Sequence, residues 1–402
     1  MEAEARELAT AQFIIRNTSS LRRFCAQAAA EGRIALDVEF IREQSYTPKL
    51  ALVQVATRTA CAIADPLAIA DLRPLADLLA SRQVLKVLHA AAQDLEILVW
   101  HLHTLPVHIF DTQLAAALAG LGEQMPYHHL VARLLGVSLP KTEGYSDWLQ
   151  RPLTSAQIAY ALDDVRYLLP LHTLLCARLR ALNRLAWAAE EFRKFDDPAR
   201  YHRKPRELFR RIRRSRTLSA KGLAILRELA AWRDQEAQRR DRPPGSVVRD
   251  EVLVELARKA PRTLADLSRL RGLPRQEAER SGPALLEAVA RGLAVAEEDR
   301  PTPSGPLRLS SSEELTIRFL DACLRALCKR EKLPPSLVAT RAELEALVRQ
   351  QRRGKLVPAE HPLLRGWRFT LVGRELLAVL EGRQSVYLDP ATGQLTFTPR
   401  HS

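Results

Sequence analysis

The stretch Ile34-Ala35-Leu36-Asp37-Val38-Glu39-Phe40 constrains the fold of this chain more than any other. Apolar residues surround two carboxylates placed two positions apart. In a β-strand successive side chains alternate faces, so Asp37 and Glu39 project together while Leu36, Val38 and Phe40 pack the opposite side. Adjacent carboxylates repel each other and lose hydration in a core strand, so the pair needs an offset. A divalent cation supplies one, since Mg²⁺ and Mn²⁺ prefer carboxylate and water oxygens. An edge strand with two solvated acids is the plainer reading of an isolated D-x-E pattern. The rest of the chain decides between them.

With 402 residues there is room for two or three domains, and a hydrophobic share of 47% is ordinary for globular chains. No apolar run reaches bilayer length, and the acidic start Met1-Glu2-Ala3-Glu4 is unlike a secretory signal. Five scattered cysteines (Cys25, Cys61, Cys176, Cys323, Cys328) form no C-x-x-C pair, which predicts a reducing cytoplasm and no zinc site. Cys323 and Cys328 read as core thiols. The formal net charge of +14 points to a polyanionic partner. Genomic base bias also enriches Arg and Ala, so the distribution of charge says more than its total.

Phe13 to Ala30 predicts a short strand and an amphipathic helix, with Ser19 or Ser20 as N-cap. After the acidic strand, Leu50 to Ala56 and Cys61 to Asp65 read as strands joined through Thr57-Arg58-Thr59. Leu72 to Ala80 is predicted helical, Val84 to Leu88 a strand and Ala90 to Trp100 a helix. This alternation implies an α/β domain with a mixed sheet. Helices are then expected over Gln113 to Leu121, His128 to Leu135, Ser155 to Leu169 and onward to Leu182, the domain ending near Ala188. A loop runs over Val137 to Arg151, marked by Pro140, Gly144 and the adjoining Pro152. His101 and His103 alternate on a predicted strand or turn and have no third nitrogen or sulfur ligand nearby.

Arg200 to Arg216 holds nine basic side chains against the single acid Glu207. It reads either as a solvated linker or helix face or as a phosphate-contacting stripe. Helices follow over Lys221 to Arg239, Asp250 to Lys259, Leu264 to Arg269 and Arg275 to Arg291, punctuated by Pro243-Pro244-Gly245, Pro261 and Gly272. The Pro- and Ser-rich stretch Glu298 to Ser312 is a linker. A second helical module spans Glu313 to Leu380, and its helix Arg341 to Arg352 corresponds in place to Asp250 to Lys259. Ser385 to Leu388 and Gln394 to Thr398 predict a terminal hairpin.

Two further segments carry acids in telling company. In Lys86-Val87-Leu88-His89-Ala90-Ala91-Ala92-Gln93-Asp94, a strand ends and Asp94 falls in the first turns of a helix. In Ser155 to Asp164, Tyr160 and Asp164 stand at i and i+4 and share a helix face, while Asp163 is turned away and predicted to be solvated.

Together the three segments resemble the three exonuclease motifs of the DEDD superfamily: D-x-E on a strand, Asp opening a helix, and Tyr-x-x-x-Asp on a late helix. Ala159 occupies the place of the histidine found in the other subclass, so the chain is identified with the tyrosine subclass. The runs A-L-D-V-E-F-I-R, Y-T-P-K-L-A-L-V-Q-V, H-A-A-A-Q-D-L-E, F-D-T-Q-L-A-A and S-D-W-L-Q-R-P-L-T resemble the ribonuclease D family. A-W-R-D-Q-E-A-Q-R-R-D-R-P-P-G-S-V-V-R-D-E-V-L is similar to the helicase-and-RNase-D C-terminal (HRDC) domain, of which that family typically carries two. Val38 stands where the family more often has Thr, on the side facing away from the expected metals.

The resemblance implies a ribonuclease-H-like α/β exonuclease domain with a mixed sheet over residues 1–200. All-α HRDC-type domains are expected over 213–297 and 313–384, with a linker over 298–312 and a hairpin tail over 385–402. It implies a 3′–5′ exoribonuclease that trims RNA 3′ ends, precursor tRNA among them, and releases nucleoside 5′-monophosphates. Two divalent metal ions, Mg²⁺ or Mn²⁺, are expected: Asp37 bridging both, Glu39 and Asp164 holding the first, Asp94 holding the second. Tyr160 is expected to position the nucleophile, since an ordinary phenol pKa near 10 makes it a poor base. Candidate RNA contacts are His89, Lys141, Arg210, Arg211, Arg213 and Arg214, although a histidine ending a buried strand is as often structural. Trp148 reads as a loop anchor rather than a base-stacking platform. The expected partner is RNA, with no membrane and a monomeric chain. A DNA 3′–5′ exonuclease is the alternative, because one metal site serves both sugars and sequence does not show which side chains meet the 2′-hydroxyl. A non-catalytic RNA-binding scaffold is disfavoured by the presence of all five site residues.

Overall fold

The computed structural model describes residues 11–42, 45–140, 146–201, 204–302 and 309–400. Lys141 and Gly144 lie outside the described residues, as does most of the Pro-rich stretch before Leu309. The chain divides into two compact units: Met1–Glu39 with Leu50–Arg200 and Leu309–Ser402, and Phe40–Lys49 with Tyr201–Arg308.

In the first unit, β1 (Ala11–Ile15), α1 (Thr18–Glu31), β2 (Arg33–Ile41), β3 (Lys49–Ala56) and β4 (Ala60–Ala64) come first. They are followed by α2 (Arg73–Ala80), β5 (Leu85–Leu88), α3 (Ala92–Leu102), β6 (Ile109–Asp111), α4 (Thr112–Leu118) and α5 (Tyr127–Leu135). The domain closes with α6 (Ser155–Arg166), α7 (Leu168–Ala181) and α8 (Leu185–Phe192). The six strands form one sheet in the order β1-β4-β3-β2-β5-β6. Strand β4 runs parallel to β1 and antiparallel to β3, while β2, β5 and β6 pair in parallel, so the sheet is mixed as expected. The acidic strand is central. Leu36 and Val38 are buried while Asp37 and Glu39 keep partial exposure, the alternation that the sequence required.

Several local expectations are corrected. Asn17, not Ser19 or Ser20, caps α1, because its backbone is extended and its side-chain oxygen accepts from Ser20 N at 2.9 Å. The predicted helix Ser155 to Leu169 breaks at Tyr167. Pro170 has no N–H to offer Arg166, its i−4 partner, so α6 ends at Arg166 and α7 begins with Pro170 in its first turn. His101 lies in the last turn of α3, where Nε2 accepts from Leu50 N at 3.3 Å, and His103 is the left-handed C-cap, so no strand runs there. Asp163 is half-buried rather than solvated and pairs with Arg166 at 2.8 Å.

The second unit holds α9 (Ala220–Arg240), α10 (Pro244–Val247), α11 (Asp250–Lys259), α12 (Leu264–Ser268) and α13 (Arg275–Leu293). Its core gathers Leu223, Leu226, Leu229, Leu253, Leu256 and Leu285. A Cβ at Gly292 would stand 2.4 Å from the Ile225 Cα, so glycine permits the close crossing of α13 and α9. The basic run is not a free linker. It folds into 3₁₀ turns over Pro205–Arg211 and Ser215–Thr217, and buried Phe209, Ile212 and Leu218 stitch it to this core. Tyr46 joins the same unit, donating its hydroxyl to Asp234 at 3.0 Å.

The C-terminal part of the first unit comprises α14 (Ser311–Arg330), α15 (Pro335–Val338) and α16 (Arg341–Arg352). A last helix runs from α17 (Gly366–Arg368) through a π-turn (Phe369–Gly373) into α18 (Arg374–Leu380). The predicted hairpin is formed by β7 (Gln384–Leu388) and β8 (Leu395–Pro399). These helices are fastened to α8: Trp367 stacks on Trp187 at 5.2 Å, its indole N–H donates to Glu191 at 2.9 Å, and Arg184 reaches Glu331 at 2.8 Å.

Candidate active site

Three carboxylates from distant parts of the chain converge. Asp37 and Glu39 leave β2 on the same face, and Asp164 comes from α6, whose start is fixed by a capping box between Thr154 and Gln157. One oxygen from each can be chosen so that all three lie within 4.8 Å of one another, close enough to share a metal ion. Asp94, in the first turn of α3, is outside that group, yet its carboxyl feels the charge of Asp37, Glu39 and Asp164.

Burial and mutual repulsion penalise ionisation of all four. Burial pushes Asp37 up to about 7, burial and the charge of Asp37 push Glu39 to about 8, and burial with Asp37 and Glu39 pushes Asp164 to about 9. Asp94 is raised well above the carboxylate range by the same causes. A divalent cation would remove the repulsion and repay the lost hydration. The donor set is all oxygen, which suits Mg²⁺ or Mn²⁺.

Tyr160 sits one turn before Asp164 on α6, and its ring lies 5.9 Å from that of Trp148, which is 3% exposed. The anchoring role read for Trp148 agrees with this burial. His89 is otherwise engaged: Nδ1 meets Thr112 Oγ1 at 2.9 Å and Nε2 meets the Met125 carbonyl at 3.0 Å. Both ring nitrogens are thus committed within the fold. Arg210 is paired with Glu207 at 2.6 Å and lies over the Phe209 ring, while Arg211, Arg213 and Arg214 are exposed on the second unit.

Three supporting residues escaped the sequence reading. Asp111 holds the turn before α3 and caps α4, and an Asp just ahead of a helix was the available signal. Tyr127 is half-buried and donates its hydroxyl to the Asp163 carbonyl at 2.9 Å, pinning the residue next to Asp164. Arg151 lies inside the family-like run S-D-W-L-Q-R-P-L-T, but nothing in that run says what its guanidinium meets.

A mixed sheet whose central D-x-E strand meets a helical Tyr-x-x-x-Asp and a helix-initial Asp defines a 3′–5′ exonuclease of the DEDD type, a hydrolytic enzyme, here with an acidic cluster that could hold a metal ion. Residues 12–180 match a family profile described as 3′–5′ exonuclease, and residues 222–289 match the HRDC domain. The chain belongs to the ribonuclease D family and is a 3′–5′ exoribonuclease. It is 38% identical over 378 residues to ribonuclease D of Gluconacetobacter diazotrophicus, covering 94% of both chains. It is 37% identical over 372 residues to that of Pseudomonas paraeruginosa, covering 91% of this chain and 97% of the other. The crystal structure of Escherichia coli RNase D, described as an exoribonuclease involved in structured RNA processing, superposes with a TM-score of 0.82. It is 32% identical and the alignment covers 92% of this chain and 98% of that one. Among the described residues no helix is long and apolar enough to cross a membrane.

Proposed function

We propose that this enzyme shortens structured RNA from the 3′ end, precursor tRNA among its substrates, using two divalent ions, Mg²⁺ or Mn²⁺. The observation that carries this reading is the convergence of Asp37, Glu39 and Asp164 within 4.8 Å, with Asp94 in their field. Asp37 would bridge both ions, Glu39 and Asp164 complete one site, and Asp94 serves the other. The ions, when bound, supply an activated water and neutralise charge on the scissile phosphodiester. Tyr160 orients the attacking water through its hydroxyl. Partial burial of the four acids lowers the local dielectric and strengthens their attraction for cations.

The body of the RNA is held by the basic segment of the second unit, where Arg211, Arg213 and Arg214 face solvent on an anchored backbone. His89 is assigned a structural role because both its ring nitrogens are occupied. The helices over 313–384 are read as a second, diverged HRDC repeat. Long α9, short α10 opening on Pro244 and α11 are matched in order by α14, α15 opening on Pro335 and α16. The protein is taken to act as a cytoplasmic monomer, in keeping with five unpaired cysteines.

The test compares labelled precursor tRNA with single-stranded DNA of equal length in Mg²⁺, Mn²⁺ or EDTA. Stepwise loss from the RNA 3′ end, 5′-monophosphate products and silence in EDTA are expected. Faster cleavage of the DNA would overturn the substrate assignment, and cleavage in EDTA would overturn the metal assignment.

A further inference from the structure

Arg151 uses every donor it has. Nε and one terminal nitrogen clamp the Asp65 carboxylate at 2.7 and 2.8 Å, just beyond β4. That same nitrogen reaches the Ala51 carbonyl on β3 at 3.0 Å. The other terminal nitrogen binds the carbonyls of Trp148 and Gln150, both at 2.8 Å. Asp65 is 3% exposed and held below its ordinary carboxylate range by Arg151 against the opposing effect of burial. A bidentate guanidinium–carboxylate pair in such a place is directional and stiff.

The segment so bolted down carries Trp148. Its indole N–H is buried and has no hydrogen-bond partner among the described residues, so none of them fixes the ring through a polar contact with the side chain. The backbone around it does: Arg151 holds the Trp148 carbonyl, and Gln157 of α6 holds the Asp147 carbonyl at 3.3 Å. The ring then stands 5.9 Å from that of Tyr160, inclined by 38°. One face of the tyrosine is therefore set by a tryptophan whose own placement comes from an arginine tied to the sheet.

We propose that Arg151 is a positioning residue for the nuclease reaction, acting through Trp148 to hold the ring of Tyr160. The idea rests on Tyr160 taking part in catalysis. The Asp65 pair and the bond to Ala51 give Arg151 a fixed point beside β4 and on β3, and its two remaining bonds pass that position to the loop. A purely structural ion pair would affect unfolding and leave turnover of the folded enzyme intact. A positioning pair lowers turnover in protein that is still folded and still binds RNA.

The experiment is a double-mutant cycle on the full chain, with single-turnover cleavage of 3′-labelled RNA in saturating Mg²⁺. Affinity is measured separately in EDTA, and folding by circular dichroism. Tyr160→Phe alone tests the underlying reading; unchanged cleavage there would remove Tyr160 from the mechanism and the proposal with it. Given a slow Tyr160→Phe enzyme, Arg151→Gln is expected to lower the cleavage rate on the order of 10- to 100-fold with RNA affinity nearly unchanged. In the Tyr160→Phe background the same change should have far less effect, since its target is already gone. Equal effects in both backgrounds would show that Arg151 acts independently of Tyr160 and overturn the proposal. Should Arg151→Gln fail to fold, Arg151→Lys enters the same cycle, keeping charge but not the five-donor geometry. Trp148→Phe, which retains a ring, should keep more activity than Trp148→Leu; the reverse order would exclude Trp148 as the intermediary.

Discussion

The carboxylate of Asp111 accepts a hydrogen bond from the backbone amide of Ala91 at 3.0 Å, tying the end of β6 to the turn that launches α3. It also accepts from Ala90 at 3.1 Å, and from Gln113 and Leu114 at 2.8 and 3.2 Å as the cap of α4. Ala90 has a φ of 57°, a left-handed backbone that alanine adopts only under constraint. Asp111 supplies that constraint, and through it fixes where Asp94 emerges.

Asp111→Ala should therefore destabilise the fold by roughly 2–4 kcal/mol, from a lost cap and amides left unpaired. It should also slow cleavage through displacement of Asp94. Asp111→Asn keeps one oxygen acceptor and should lose less on both counts. Thermal melts and cleavage rates check this; a wild-type melting point for the alanine variant would contradict it.

The acidic cluster makes stability depend on pH and metal together. Asp37, Glu39 and Asp164 have folded pKa values near 7, 8 and 9, above those of the unfolded chain. Between roughly pH 4 and pH 9 the metal-free folded state thus binds more protons than the unfolded state, and stability falls as pH rises. Adding Mg²⁺ or Mn²⁺ should raise the melting point more near pH 8 than near pH 5, because cations bind the ionised form. Asp37→Asn should abolish cleavage yet raise the melting point in EDTA at the higher pH. A lower melting point for that variant in EDTA would show that repulsion is not what limits the metal-free state.

What was legible in the sequence was periodic. Asp37 and Glu39 alternate with apolar residues, and Tyr160 and Asp164 stand one helical turn apart, so local geometry alone placed each pair on one face. Strand β6 was missed because three residues carry no period, and the break at Arg166 was missed because Pro170 acts four residues upstream of itself. Arg151 and Asp65 were illegible for a different reason. They are 86 positions apart, and nothing local to an arginine tells whether its guanidinium meets water or a buried carboxylate. Lys86, inside the predicted strand Val84 to Leu88, is fully buried, and nothing local to a lysine signals that its ammonium will be enclosed.

Lys86 is 0% exposed, and its ammonium donates to the Ser81 carbonyl at 2.5 Å. Burial lowers its pKa to about 8 despite the nearby charge of Asp196. Since the folded value lies below the unfolded one, the unfolded chain binds more protons between about pH 8 and pH 10.5, and this group adds stability as pH rises there. The direction is opposite to that of the acidic cluster. Lys86→Met keeps the volume and removes the buried charge, so it should leave the protein as stable or up to about 3 kcal/mol more stable at neutral pH. It should also flatten the alkaline limb of the stability profile. Melting both proteins from neutral to alkaline pH in EDTA decides it; a strongly destabilised Lys86→Met would mean the single bond to Ser81 outweighs the desolvation.

The basic segment offers the last test, because its arginines differ in what they already hold. Arg210 pairs with Glu207 at 2.6 Å and Arg206 with Glu228 at 3.5 Å, so their charges are partly spent inside the protein. Arg211, Arg213, Arg214 and Arg216 are exposed and have no side-chain hydrogen-bond partner among the described residues. They rise from a backbone fastened by Phe209, Ile212 and Leu218, which lowers the entropy lost when they meet phosphates. Changing all four to Gln should weaken RNA binding and reduce the slope of log affinity against log salt by up to about 3, near 0.7 for each single-strand phosphate contact. Arg206→Gln with Arg210→Gln should change the slope much less. Titrations of labelled RNA in EDTA at several salt concentrations measure both slopes, and melting points confirm that the fold survives. Equal slopes for the quadruple variant and the parent protein would remove this segment from the RNA path.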